Sequence, residues 1–218
     1  MQLLITNRNA VRHEALLDKV YRFRHDFFVN HMKWEALRKP DGREIDEFDT
    51  PSCAHIVGID GAKVISYTRL LPTTEPHLLT HVYPEILDGA PSPAGPTIWE
   101  WTRCAVAPAS REGRRGADPA TIGMFLGVTE ACLFLGVSAL LVETHPLLLT
   151  RCIELGWKCR PLALPKELDG STVVPFKAEL KDTTLATSRA LFGVNESVLT
   201  IEDELRDQPS LPALARAS

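Results

Sequence analysis

The sequence predicts an α/β fold: a single domain in which a mixed central sheet is flanked by helices. Three observations carry this. Segments with strand and helix periodicity alternate in the order strand, helix, hairpin, strand, helix, strand, helix, strand. The hairpin supplies antiparallel neighbours, whereas strands separated by helices can run parallel, so the sheet is mixed. No composition shift and no internal repeat interrupts the 218 residues, so residues 1–206 read as one domain. Residues 207–218 carry two prolines among small residues and read as a disordered tail.

The elements follow in order. Leu3 to Thr6 is a short strand, and Leu16, Val20, Phe23 and Phe27 then recur at helical spacing. His31 to Thr50 is polar and charged, with Pro40-Asp41-Gly42 as a turn. Its length without regular structure is a feature of functional segments. His55 to Ile59 and Val64 to Leu71 flank Asp60-Gly61-Ala62, a hairpin. Pro72 to Thr97 is broken by prolines, and Ile98 to Val106 is the next strand. Arg111 to Asp118 is a basic, glycine-containing loop. Pro119 to Leu135 is an apolar helix with proline in its first turn. Ala139 to Glu143 is a continuous apolar run, as in a strand buried on both faces. Pro146 to Leu155 is a helix closed by Gly156, and Val173 to Leu180 is the last strand.

Composition excludes several function classes. Hydrophobic residues make up 44%, enough for a core without disulfides or a metal. Lys and Arg total 24 against 28 Asp and Glu, and a net charge of −4 argues against a general nucleic-acid coat. No apolar run approaches the roughly 18 residues of a membrane span. The N-terminal stretch is too weakly apolar for a secretory signal. The cysteines, Cys53, Cys104, Cys132, Cys152 and Cys159, are odd in number and show no C-x-x-C or zinc spacing. They read as free thiols in a reducing cytoplasm, with no metal site.

Four clusters can carry chemistry. In the strand around Trp99-Glu100-Trp101-Thr102-Arg103, alternation places Trp99, Trp101 and Arg103 on one face and Glu100 with Thr102 on the other. Glu100 is either a water-facing residue of an edge strand or a cleft carboxylate able to act as a general base. Arg69, inside an apolar strand, is either half of an ion pair with Glu100 or an Asp, or a substrate arginine holding a carboxylate by two hydrogen bonds. Arg24, Phe28, Trp34, Asp46 and Asp49 combine aromatics with carboxylates, which suits a cationic ligand. Finally, Val106-Ala107-Pro108, a loop with Arg111, Arg114, Arg115 and Gly116, and then a helix N-terminus form a natural anion site.

Together these pieces resemble the acyl-homoserine-lactone synthases, the LuxI-type autoinducer synthases. The matching blocks are Phe23-Arg24-His25-Asp26-Phe27-Phe28-Val29, Trp34, Asp46-Glu47-Phe48-Asp49, Thr68-Arg69-Leu70-Leu71-Pro72-Thr73, Tyr83-Pro84, Trp99-Glu100-Trp101-Thr102-Arg103 and Gly156-Trp157. The resemblance runs from about residue 1 to 180. Two positions depart: Tyr83 stands where many members have Phe, and Cys104 where Phe is frequent.

The resemblance implies a fold similar to the N-acetyltransferases, with a V-shaped cleft in the sheet. It implies no cofactor and two small-molecule substrates, S-adenosylmethionine and a fatty acyl thioester. Glu100 is then the catalytic base, and Arg24, Phe28, Trp34, Asp46, Asp49, Arg69 and Arg103 bind substrate. An acyl pocket falls at Met124, Phe125, Val142 and Thr144. Arg111, Arg114 and Arg115 fall in a thioester and phosphate loop resembling the acyl-CoA loop of the N-acetyltransferases, although the glycine spacing differs. With Lys158, Arg160 and Lys166 they can form a basic patch for an acyl-carrier protein or for CoA phosphates. The run Trp34 to Asp46 resembles the branch that takes short branched or aromatic acyl-CoA. Two other readings remain open on the residues: an N-acyltransferase acting on another amine, and a ligand-binding domain of the same fold without catalysis.

Overall fold

The computed structural model describes residues 1–108, 118–168 and 170–206. The strands are β1 (Gln2–Ile5), β2 (Ala54–Asp60), β3 (Lys63–Pro72), β4 (Ile98–Val106), β5 (Ala139–Thr144), β6 (Lys158–Pro161), β7 (Lys166–Leu168), β8 (Ser171–Glu179) and β9 (Leu199–Thr200). The helices are α1 (Glu14–Arg24), α2 (Leu78–His81), α3 (Pro119–Leu135), α4 (Pro146–Glu154), α5 (Asp182–Phe192) and α6 (Asp203–Arg206). The sheet order is β6-β8-β5-β4-β3-β2-β1-β9, with β7 attached to β8. Pairs β4/β5 and β1/β9 are parallel and the others antiparallel, so the sheet is mixed as predicted.

β4 pairs on both edges, with β3 and β5, so Glu100 is not on an edge strand and does not face water. It is fully buried. The β4/β5 pairing stops early, at Ile98–Ala139, Trp99–Leu140 and Glu100–Leu141. β4 continues to Val106 and β5 to Thr144 without pairing further, so the strands part beyond Glu100.

The sheet has two unlike faces. On one, α3 packs its apolar length with Leu4, Ile56, Leu70, Trp101, Phe125, Cys132 and Trp157 in the main core. Each such large apolar side chain, taken fully out of water, contributes roughly 1.5–3 kcal/mol. Pro119 opens α3, Asp118 caps it by accepting from the Ala120 and Thr121 N–H groups, and Gly136 at φ 72° closes it. On the other face lie α1, the segment leading to β2, and the segment from Pro72 to Thr97. The helix predicted through Phe27 becomes α1 followed by a wide π-helical turn, His25–His31. That turn buries Arg24, His25, Phe27, Phe28 and Val29 together, and such turns recur at functional sites.

Several elements escaped the sequence reading. β6 carries Lys, Arg and Pro on a mostly exposed strand, so it lacks apolar alternation. α5 is rich in Thr and Ser, with a weak apolar stripe, and β9 spans two residues. Inside the proline-rich stretch, α2 and a 3-10 turn, Pro84–Leu87, cover Leu141. Residues 207–218, expected as a tail, lie outside the described residues.

Candidate functional site

The site begins at an irregularity. β3 and β4 pair Tyr67 with Ala105 and then Arg69 with Thr102, so Thr68 faces the two residues Arg103 and Cys104. Arg103 has φ 55°, a left-handed conformation rare for a side-chain-bearing residue. This β-bulge re-aims one side chain. Simple alternation would put Arg103 with Trp99 and Trp101, but the bulge turns it to the face of Arg69 and Thr102.

There it joins a buried network of three arginines and three carboxylates. Arg24 donates through both Nη atoms to Asp49 at 2.7 and 2.9 Å and through Nε to Glu44 at 2.6 Å. Arg69 grips Asp46 the same way, at 2.6 and 2.9 Å, approaches Asp49 at 2.7 Å, and donates Nε to Thr102 Oγ1 at 3.1 Å. Arg103 reaches Glu44 at 3.2 Å and Asp46 at 2.7 Å. Such planar two-point pairs are the strong form of the interaction. Burial works against charge on Asp49, but Arg24 and Arg69 outweigh it and hold the carboxyl well below its usual range. Arg69's partner is therefore an aspartate pair and not Glu100.

Saturation separates the six. The Arg24 and Arg69 side chains are 0% exposed, whereas Arg103 is 10% and Asp46 16% exposed. Arg103 Nη1 makes no hydrogen bond among the described residues. So Arg24, Arg69 and Asp49 form a buried support, while Arg103 and Asp46 are the members partly open to solvent. Glu44 was missed in the sequence, where it sits in a polar loop. Its signal was the charge balance: three arginines against two aspartates leave one positive charge uncompensated.

Beside Arg103, the ring of Trp34 stacks on Phe28 at 5.1 Å and 20°, and the Arg103 guanidinium lies 5.6 Å from the Phe28 ring centre. Lys33 at φ 63° turns the chain back after the π-helical turn, and Trp34 N–H donates to Phe28 O at 2.9 Å. Trp34 remains 45% exposed, so it is not a core tryptophan.

Glu100 lies on the same sheet face. Its carboxylate accepts from the Leu78 N–H at 2.9 Å and the Leu79 N–H at 2.7 Å. Burial raises its pKa, against these two donors and the nearby His77 and Arg69. Glu143 follows on β5, and burial together with the Glu100 charge pushes the Glu143 carboxyl well above the ordinary carboxylate value.

On the opposite face, where β4 and β5 part, a cavity of about 480 Å³ opens beside α3 and α4. Met124, Phe125 and Thr144 line it, with Cys104, Val106 and Leu148. Val142 does not; it is buried in the main core. Cys104, where the resembling family often has Phe, adds room to this cavity. Arg151 stands at the cavity wall. Of the basic residues expected to form a patch, Lys158 pairs with Glu179 at 3.1 Å and Lys166 pairs with Asp88. Arg111, Arg114 and Arg115 lie outside the described residues.

Asp49, Cys53 and His55 bring three potential metal ligands within 4.8 Å of one another. Their atoms already have partners, Asp49 with Arg24 and Arg69. His55 Nδ1 contacts Tyr67 Oη at 2.7 Å, and Nε2 contacts Cys53 Sγ at 3.3 Å. Burial pushes the Cys53 thiol up to about 12 and the His55 imidazole down to about 4, so at neutral pH both are uncharged.

A family model described as autoinducer synthase matches residues 8–184. The isovaleryl-homoserine lactone synthase of Bradyrhizobium diazoefficiens is 32% identical over 210 residues, 96% of this chain and 91% of that protein. An acyl-homoserine-lactone synthase of Acinetobacter nosocomialis is 31% identical over 163 residues, 72% and 88% of the two chains. Among solved structures, the CoA-dependent acyl-homoserine lactone synthase BjaI, with SAM and isopentyl-CoA, matches with a TM-score of 0.85. That match has 28% identity and covers 94% of this chain and 97% of that one.

Proposed function

This chain belongs to the autoinducer synthase family and is an acyltransferase, an acyl-homoserine-lactone synthase; we propose that it joins a short branched acyl group from acyl-CoA to S-adenosylmethionine and closes the lactone. One observation carries the assignment of roles. Glu100, Arg103, Asp46, Phe28 and Trp34 converge on one sheet face, and an apolar cavity opens on the other exactly where β4 and β5 separate. A polar substrate and an apolar chain can thus approach one gap from two sides.

In the first step the α-amine of S-adenosylmethionine attacks the thioester carbonyl. A free α-amine has a pKa of about 7.7–8.0, so much of it is protonated at neutral pH. Glu100 retains acceptor capacity beyond its two backbone N–H bonds and takes that proton directly or through one water. In the second step the substrate carboxylate oxygen attacks its own γ-carbon and methylthioadenosine leaves with the C–S electron pair. This closure depends on positioning. Arg103 holds the carboxylate, and Phe28, Trp34 and Asp46 face the cationic sulfonium end. Arg24, Arg69, Asp49 and Glu44 hold Arg103 and Asp46 in place.

The acyl chain lies in the cavity lined by Met124, Phe125 and Thr144. The likeness to the isovaleryl-homoserine lactone synthase and to CoA-dependent BjaI supports a CoA donor of that size. The five cysteines are all free, in line with a cytoplasmic site of action. Among the described residues no helix is long and apolar enough to cross a membrane.

The test is direct. The purified protein is given S-adenosylmethionine with isovaleryl-CoA, straight-chain and aromatic acyl-CoAs, and the same acyl groups on an acyl-carrier protein. Mass spectrometry reads methylthioadenosine and lactone. The expected result is fastest turnover with a short branched acyl-CoA. Faster turnover with acyl-carrier protein overturns the donor, and no lactone from any donor overturns the reaction.

A further inference from the structure

Glu143 stands two residues beyond the last β4/β5 pair, Glu100–Leu141. Strand alternation puts it on the face of Leu141, and paired residues share a face, so it stands on the face of Glu100 as well. The two carboxyl groups lie close enough for the Glu100 charge to act on Glu143 and raise its pKa. Two like charges on one face of adjacent strands, away from water, disfavour each other, so one of the two is held as an acid. Glu100 is the better anion: each of its oxygens accepts a backbone N–H. Glu143 Oε1 is buried and has no hydrogen-bond partner among the described residues. An unpartnered buried carboxylate oxygen is costly, whereas a neutral carboxyl group tolerates it.

We propose that Glu143 is the proton-carrying partner of Glu100, the two carboxyl groups of the parting β4/β5 strands working as one unit that holds a single shared proton. The inference rests on the acylation reading above. The pair then begins and ends the step with one proton. The Glu100 carboxylate first takes a proton from the α-ammonium, leaving both groups protonated. The amine lone pair forms the C–N bond while the carbonyl π pair moves to oxygen. When that pair returns, the C–S bond breaks and the departing thiolate takes a proton from Glu143. The pair takes the second proton from the new amide nitrogen and releases one to solvent.

Other charged groups near the pair set its balance. Arg69 on β3 and His77 before α2 act on Glu100. On β8, Lys177 stands opposite Leu141 on the same face. Tyr83 comes from the segment that packs over Leu141. The Arg69 cation supports an anion at Glu100, and the charge of that anion opposes a second one at Glu143.

The experiment compares wild type with Glu143→Gln, whose amide still donates to Glu100 but cannot carry the proton. Two readouts are taken. At neutral pH the infrared absorption of a protonated carboxyl group should be present in the wild type and absent from Glu143→Gln. The pH profile of CoA thiol release should lose its alkaline limb in the variant, because that limb reports removal of the shared proton, and turnover should fall by about 10²-fold. Glu143→Asp, which keeps a carboxyl, should retain both features. If Glu143→Gln does not fold, Glu143→Leu gives the same comparison. An infrared spectrum unchanged by the substitution overturns the proposal, as does an alkaline limb that persists. A wild type that makes no lactone overturns the proposed function instead, and the infrared readout still decides the pair.

Discussion

On one face of β3 and β4, three arginines meet three carboxylates with nearly every donor taken. On the other, Trp101, Phe125 and Trp157 pack at 5.4–6.0 Å beside an open cavity. The same two strands therefore present a polar face with fixed geometry and an apolar face with spare volume. The difference has a physical cause. Buried charges are tolerated only when each finds a partner of good geometry, so the polar face has few alternative arrangements. Apolar contact is non-directional, so the other face can leave space and adjust what fills it. In the proposed reading the polar face takes S-adenosylmethionine and the apolar face takes the acyl group.

Substitutions can break or sharpen this contrast. The largest effect on chemistry is expected at Glu100, where the faces meet. Glu100→Gln should slow acylation by about 10²–10⁴-fold, measured as CoA thiol release, with the fold retained by circular dichroism. Near-normal turnover would move the base elsewhere. Next, Arg24→Met leaves Glu44 and Asp49 buried and undercompensated, and urea unfolding should show a loss of about 3–5 kcal/mol. Arg103→Met should cost less stability, because its side chain is partly exposed, yet lower turnover more in the same kinetic assay. The reverse ranking would dissolve the division between support and contact.

On the apolar face, Met124→Ala should leave stability adequate and shift kcat/KM by on the order of 10-fold toward an acyl-CoA one methylene longer. No shift in donor preference would remove Met124 from the acyl pocket. The smallest effect is expected for Trp34→Ala, which removes one exposed ring from a cationic ligand. KM for S-adenosylmethionine should rise about 3- to 5-fold, corresponding to roughly 0.5–1 kcal/mol, with kcat little changed. A large fall in kcat would give Trp34 a role beyond contact.

Much of this layout was legible in the chain. Val64 to Leu71 and Ile98 to Val106 read as strands because β-branched and aromatic residues cluster there, and Pro119 opens α3 by its backbone preference. The site residues Arg24, Phe28, Trp34, Asp46, Asp49, Arg69, Glu100 and Arg103 came from motif blocks whose order is a one-dimensional property. Glu44 did not, because nothing near Arg43-Glu44-Ile45 distinguishes it from a solvated loop acid. Its role depends on Arg24, 20 residues away, and Arg103, 59 residues away. Glu143 read as the end of an apolar strand, and its neighbour Glu100 is brought close only by parallel pairing.

The sequence by itself determined the order of elements, the single mixed sheet, the family and the chemical types at the site, since periodicity, turn residues and motif spacing are local. Only the tertiary structure decided which face Arg103 occupies, which arginines are saturated, and that Glu100 and Glu143 stand on one face of adjacent strands. A bulge, a register and a buried partner are set by chains meeting across long sequence separations, where each burial cost is settled by whichever group is within reach.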